Sequence, residues 1–349
     1  MTLHTQPLVS VVTPVYNAER YLAECIESVL AQTYQNWEYV IVNNCSTDHS
    51  LEIARFYARR DQRIRIHDND VFLNQIQNLN HALRQISPES KYCKEVHADD
   101  WLFPECLSRM VEVAEAHPSV GIVGSYRLEE DRVTLDGLPY PSTVVSGREV
   151  CRLTLLGRLY VFGAPTSLLR RSADIRSREA FYDDSTIQAD KKTCYETLQH
   201  ADFGFVHQVL TFTRRHNESM TSAIHRFQTR RLGTLMYLKQ YGPIFLTPAE
   251  YTQRWNQELD SYYRFLAKSA FETRDKEFWV YHKAGLAELG HPFSRAWFAK
   301  AVFLKLLNLK DTLSQIRYAL KAKRKRAVSQ EAGSWQVVLG SIYTTGKQG

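Results

Sequence analysis

The chain has 349 residues, 44% of them hydrophobic, with only 15 Gly and 11 Pro, a composition that excludes disordered, collagenous and low-complexity polypeptides and supports a sizeable core. Its formal net charge of +6 is concentrated, because residues 301–330 hold eight Lys or Arg against the single acid Asp311 and the rest of the chain sums to −1. Basicity is therefore an argument about that late segment alone, and a uniformly basic protein is excluded.

In chain order, residues 8–13 form a β-branched run suited to a strand buried on both faces, broken by Pro14 and Asn17. Asn17 is placed to cap a helix whose Tyr21, Leu22, Cys25, Ile26, Val29 and Leu30 share one side. A second strand over 37–42 runs into the polar turn 43–48, followed by a helix to about residue 60. A strand at 63–67, a helix over 75–86 and a strand over 92–98 lead to Asp99-Asp100. Pro104 suits an early position in a helix to about residue 117, before a strand at 120–126. Residues 129–146, with Gly137, Pro139 and Pro141, read as a hairpin or lid. A helix over 147–156, an apolar stretch over 159–169, a helix over 191–200 opened by Asp190, and strands at 203–206 and 209–213 follow.

Beyond about residue 224 the pattern is helical only. Thr247-Pro248-Ala249-Glu250 is a capping box with proline at the first helical position, and further helices span about 276–289 and 293–307. The expected division is thus an α/β domain over 1–224 and a helical region with a basic tail over 225–349. Alternating strands and helices imply a mostly parallel sheet covered on both faces, with ligands outside the carboxyl ends of its strands. The clusters at 13–17, 43–48 and 97–100 should then converge on one cleft.

The six cysteines lie far apart without C-x-x-C spacing and read as free thiols in a reducing compartment. The first eighteen residues lack a basic n-region and are interrupted by polar residues and proline, so neither a signal peptide nor a membrane span is expected. A cytoplasmic protein, peripheral at the inner face of the membrane through its basic tail, is the expectation.

Adjacent carboxylates at a strand end suit a hard divalent cation, Mn²⁺ or Mg²⁺, completed by substrate phosphates; the same pair also suits an N-cap before the Pro104 helix. Asp190 likewise reads either as an N-cap or as an acid–base residue. No G-x-x-x-x-G-K-[ST] and no G-x-G-x-x-G follows the first strand, so a bound nucleotide would be held by side chains such as Asn43 and by metal.

The succession VSVVTPVYN (residues 9–17), NNCSTD (43–48), NHAL (80–83) and HADDW (97–101), with the later Asp190, resembles the family 2 glycosyltransferases of the GT-A fold over roughly residues 7–220. The resemblance implies inverting transfer of a sugar from a nucleotide-diphosphate sugar to an acceptor hydroxyl, with a divalent metal and one carboxylate base, in cell-surface polysaccharide or glycoconjugate synthesis. Carried over, Pro14, Tyr16 and Asn17 resemble the wall beside the nucleobase, Asn43 the base-binding position, and Asp48 the closing acid of that motif; Asn80 belongs to the same set. Asp99 and Asp100 together resemble the metal and ribose carboxylates, both counted as metal residues with Asp100 the favoured direct ligand, and Asp190 resembles the catalytic base. Arg214, Arg215 and His216 match a late cluster that helps hold metal or diphosphate. The chain departs from the family pattern at Asn43-Asn44, in place of an acidic pair, and at His97, in place of a further aspartate.

Such a base takes the acceptor hydroxyl's proton while cationic groups stabilise the departing diphosphate. A non-catalytic sugar-nucleotide module is the alternative, and a sugar-phosphate nucleotidyltransferase a more distant one, since TPVYNAER supplies no Gly-rich loop. In the tail, Trp297, Phe298, Val302, Phe303, Leu306 and Leu307 alternate with Lys300, Lys305 and Lys310, ahead of the basic run 321–326. This reads as a peripheral membrane contact or as a packed helix with a solvated basic stretch; no nucleic-acid module accompanies it.

Overall fold

The computed structural model describes residues 6–184, 189–214 and 227–307. Two compact units divide after Trp255. The first is built on a sheet of β1 (Val9–Val15), β2 (Trp37–Asn43), β3 (Ile64–Asp68), β4 (Tyr92–Glu95), β5 (Trp101–Leu102), β6 (Val120–Glu129), β7 (Arg132–Thr134), β8 (Val144–Val145), β9 (Leu168–Arg171) and β10 (Asp202–Thr213). The order is β3-β2-β1-β4-β9-β6-β10-β5, with β7 on β6 and β8 on β10.

Strands β3, β2, β1 and β4 are parallel, as are β6 and β10, while β9 lies antiparallel between the two groups. The expected α/β class is thus met by a mixed, mostly parallel sheet. The antiparallel insertion is the part that the pattern concealed: β9 is only four residues long and ends in Arg170-Arg171, so it does not read as a buried strand. Residues 203–213 form one strand rather than two, with register shifts between Val206 and Val209 where the sequence breaks its apolar run.

Helices α1 (Leu22–Leu30), α2 (Ser50–Ala58) and α4 (Cys106–Ala116) cover one face, where Val9, Val11 and Val15 pack with Leu22, Ile26, Leu107 and Met110. On the other face Val12, Val40 and Val42 meet Leu79 and Leu83 of α3 (Gln75–Leu83). This two-sided burial is what a continuous β-branched run encodes. The fold continues through α5 (Gly147–Leu155), α6 (Ser172–Arg176), α7 (Ala189–Thr197) and α8 (Thr229–Phe245). Helix α8 packs against α5, so the first compact unit extends past the change of periodicity near residue 224.

Helix α9 (Pro248–Glu272) begins with the capping box read from the sequence: the Thr247 N–H donates to Glu250 Oε2 at 3.0 Å, and the Glu250 N–H donates to Thr247 Oγ1 at 3.3 Å. The second unit contains the end of α9, α10 (Lys276–Glu288) and α11 (Arg295–Leu307), with Tyr262, Leu266, Phe278 and Leu286 buried and a 2.5 Å hydrogen bond between Tyr262 Oη and His282 Nδ1. Among the described residues, no helix is long and apolar enough to cross a membrane. The basic residues from Lys310 to Arg326 lie outside the described residues.

Candidate functional site

The carboxyl ends of β1, β2, β3 and β4 bring the predicted clusters to one edge of the sheet. After β1, Asn17 adopts φ 47°, a left-handed conformation that asparagine tolerates. It does not cap α1, whose N-cap is Tyr21. Its Oδ1 instead accepts the Thr47 N–H at 2.8 Å, and its own N–H donates to Ser46 Oγ at 3.0 Å. Asp48 accepts the backbone N–H groups of Glu19 (2.9 Å) and Ser50 (3.0 Å). Partial burial raises the Asp48 carboxyl, but these hydrogen bonds outweigh it and hold the group below the usual range. Asn17 and Asp48 thus tie the loop after β1 to the turn after β2.

Asn43, the last residue of β2, is buried between the ends of β1 and β3, in register with Val15 and Asp68. Its Nδ2 donates to Asp68 Oδ1 at 2.7 Å, and among the described residues no donor reaches its buried Oδ1. Asn44 secures the loop after β3 by accepting the Leu73 N–H at 2.9 Å and donating to the Leu73 carbonyl at 2.8 Å. At the rim, the Tyr16 ring, 51% exposed, meets Phe72, 60% exposed, edge-to-face at 5.0 Å. Pro14 sits half-buried in β1 beside Val42.

Beyond β4, the Asp100 N–H donates to the His97 carbonyl at 2.9 Å, closing a turn that folds His97, Asp99 and Asp100 together. Their potential ligand atoms all lie within 4.8 Å of one another. Asp100 is buried. Its Oδ1 accepts the Arg214 N–H at 3.1 Å and its Oδ2 the Thr213 hydroxyl at 3.3 Å. Burial, with adjacent Asp99, pushes the Asp100 carboxyl up to about 6, against the pull of His97. A cluster of two carboxylates and an imidazole, one carboxylate desolvated, fits a divalent cation that would neutralise it.

Arg214 contributes to this cluster through its backbone. Its guanidinium pairs with Glu24 at 2.5 Å, lies over the Tyr21 ring and donates from Nε to the Asp99 carbonyl at 3.3 Å. Arg215 and His216 lie outside the described residues.

Asp190 sits in the first turn of α7, half-buried at its surface. Burial raises its carboxyl, opposed by the Lys191 N–H, the Lys191 charge, Arg170 and His97. Beneath it, buried Arg170 donates to Cys194 Sγ at 3.2 Å, and Cys194 donates to the Asp190 carbonyl at 3.2 Å. Asn80 is buried and spends both amide atoms on the Tyr182 backbone, donating to its carbonyl at 2.7 Å and accepting its N–H at 2.8 Å. In this structure Asn80 fixes the segment before α7. The Tyr182 hydroxyl in turn donates to Glu95 at 2.6 Å.

The fold therefore brings Tyr16, Asn17, Asn43, Asp48, Asp99, Asp100 and the Arg214 backbone to the same sheet edge. Asp190 lies within electrostatic reach of His97. His97, which stands in the sequence as a departure from the family pattern, joins the carboxylates, and Asp68 and Phe72 join the site without a signal in the sequence. The His-x-Asp-Asp spacing on a strand-ending turn was a usable signal for the first. The other two become visible only once β3 pairs with β2.

Residues 10–177 match the family model described as Glycosyl transferase family 2. EpsE of Bacillus subtilis (strain 168), described as a glycosyltransferase, is 34% identical over 163 residues, which are 45% of this chain and 58% of EpsE. TuaG of the same organism, described as a teichuronic acid biosynthesis glycosyltransferase, is 29% identical over 161 residues, 45% of this chain and 62% of TuaG. The matched segment thus spans less than two thirds of either relative. Among solved structures, S. aureus TarS 1–349 in complex with UDP-GlcNAc superposes with a TM-score of 0.59 at 17% identity over 80% of each chain. The mannosyltransferase PcManGT of Pyrobaculum calidifontis, in complex with GDP-Man and Mn²⁺, superposes with a TM-score of 0.53 at 15% identity over 88% of each chain. With its parallel strand groups and its carboxylate-bearing turn after β4, this chain has a fold of the GT-A type, and over residues 10–177 it is similar to glycosyl transferase family 2.

Proposed function

We propose that the protein transfers a sugar from a nucleoside-diphosphate sugar to an acceptor hydroxyl with inversion at the anomeric carbon, in the synthesis of a surface polysaccharide. One observation carries the reading: Asp190 lies within electrostatic reach of His97, which clusters with Asp99 and Asp100. TuaG's described role in teichuronic acid biosynthesis and the sugar nucleotides bound in TarS and PcManGT support the substrate class.

His97, Asp99 and Asp100 would hold the divalent cation, which when bound offsets charge on the donor's diphosphate. An imidazole beside two carboxylates favours Mn²⁺ over the stricter oxygen-seeking Mg²⁺. Asp190 acts as the base: its ionised carboxylate accepts the proton of the acceptor hydroxyl as the new glycosidic bond forms. Attack from the face opposite the leaving diphosphate inverts the centre. Arg214 keeps Asp100 in place through its N–H, and Asn17 and Asp48 hold the loops around the nucleotide.

The test is turnover of a nucleotide-sugar panel by the purified full chain. Asp190→Asn is expected to lower kcat by about 10²–10⁴-fold with donor binding retained, and chelation to abolish turnover until Mn²⁺ is restored. Full activity in chelator sinks the metal role, and a fully active Asp190→Asn enzyme sinks the base.

For the acceptor side we propose peripheral contact with an anionic membrane. Its support is α11, which exposes Trp297, Phe303, Leu304, Leu306 and Leu307 around Lys300 and contains no acidic residue.

A further inference from the structure

We infer that Asp68 selects the donor's nucleobase by locking the Asn43 amide with its oxygen toward the base, so that the site takes bases with a ring N–H donor, uracil or guanine, over cytosine and adenine. This rests on the proposed donor site and goes beyond it, because an asparagine at position 43 by itself has no preference: an amide can turn to offer either N–H or C=O. Its partner settles the orientation. A carboxylate offers only acceptors, so the amide nitrogen faces Asp68 Oδ1 at 2.7 Å, while Arg55 Nη2 occupies Asp68 Oδ2 at 3.3 Å. The Asn43 oxygen then points elsewhere, and it is buried with no donor among the described residues. An unmet acceptor of this kind is costly, and an incoming N–H would satisfy it.

Strand order places two aromatic rings on either side of the strand end that carries Asn43. Tyr16 follows β1 and Phe72 follows β3, and β2, ending at Asn43, lies between them. The edge-to-face contact of Tyr16 with Phe72 therefore joins the loops that follow the two strands flanking β2. Both rings are largely exposed and have space to part. A planar base that replaces their mutual contact would stack on aromatic faces and bring its ring edge down to Asn43. Uracil presents an N–H at its third ring position and guanine one at its first. Cytosine and adenine present a bare nitrogen lone pair there, which would face the Asn43 oxygen with no proton between them.

The experiment is titration calorimetry of the full chain with UDP, CDP, GDP and ADP in the presence of Mn²⁺. UDP should bind about tenfold or more tightly than CDP, and GDP than ADP. Asp68→Ala should bring the UDP/CDP ratio to within about threefold. The exchanged pair Asn43→Asp with Asp68→Asn should restore the ratio, because a carboxylate at 43 accepts and an amide at 68 donates. That rescue also answers a folding defect in the single variant. Phe72→Ala should weaken UDP and CDP alike and leave their ratio unchanged. Equal UDP and CDP affinities in the wild type, or an undiminished ratio in Asp68→Ala, overturn base selection while leaving the donor site standing. Binding of none of the four diphosphates overturns the donor-site reading and this inference with it.

Discussion

At the scale of single residues, the candidate site combines a buried carboxylate that would prefer not to be charged with a proposed base that must be. Asp100 lies among hydrogen-bond donors but is desolvated, and its carboxyl is pushed up to about 6. A raised folded pKa means that ionisation opposes folding, so the cost is absent below the ordinary aspartate range, grows as pH rises from there to about 6 and is fully present above it. Asp100→Asn should therefore abolish the Mn²⁺-dependent rise in Tm and yet leave the metal-free protein as stable or more so at pH 8, by up to about 2 kcal/mol. Thermal melts with and without Mn²⁺ check both halves. Asp190 obeys the same electrostatics with the opposite functional sign. The proposed base role needs the ionised form and burial raises its carboxyl, so kcat/KM should fall on the acid side, starting at higher pH than for an exposed aspartate. A pH–rate profile that stays flat down to the ordinary aspartate range is the contrary outcome.

At the scale of elements, loops are aligned by short polar ties and helices by close packing. Ser146 caps α5 by accepting the Glu149 N–H at 3.2 Å, and Gly147 then begins the helix against the end of α7. A Cβ at Gly147 would stand 2.0 Å from the Ala201 carbonyl oxygen and 2.3 Å from that of Leu198. These are backbone atoms that cannot swing aside, so Gly147→Ala should cost about 2–3 kcal/mol in denaturant titration. Much of this level was legible in advance. The capping box at Thr247, the alternation of strands and helices and the polar turns at strand ends follow from local propensity and period. Short β9 and β5 were not legible, because two to four residues carry no period, and their pairing depends on neighbours far along the chain.

At the scale of the whole molecule, the charge excess belongs to the helical end of the chain, away in sequence from the carboxylate-bearing turn. Helix α11 exposes five large apolar side chains with Lys300 among them. Triple substitution of Phe303, Leu306 and Leu307 by Glu should lower sedimentation of the full chain with anionic vesicles by about tenfold or more at unchanged catalytic turnover in solution. Equal sedimentation of variant and parent removes the membrane contact.

The sequence by itself determined the α/β class, the family resemblance over its first half and the polar segments that end its strands, because hydrophobic period and turn residues act locally and survive without knowledge of the partner strand. Only the tertiary structure decided what those residues face. It turned Asn17 from a helix cap into a tie to Thr47, and set Asn80 on the Tyr182 backbone and the Arg214 guanidinium on Glu24. It also joined His97 to the two aspartates and set Asp68 against Asn43. Each of these depends on distance and orientation between segments that are separate in sequence, where a side chain's composition does not specify which neighbour takes its hydrogen bond.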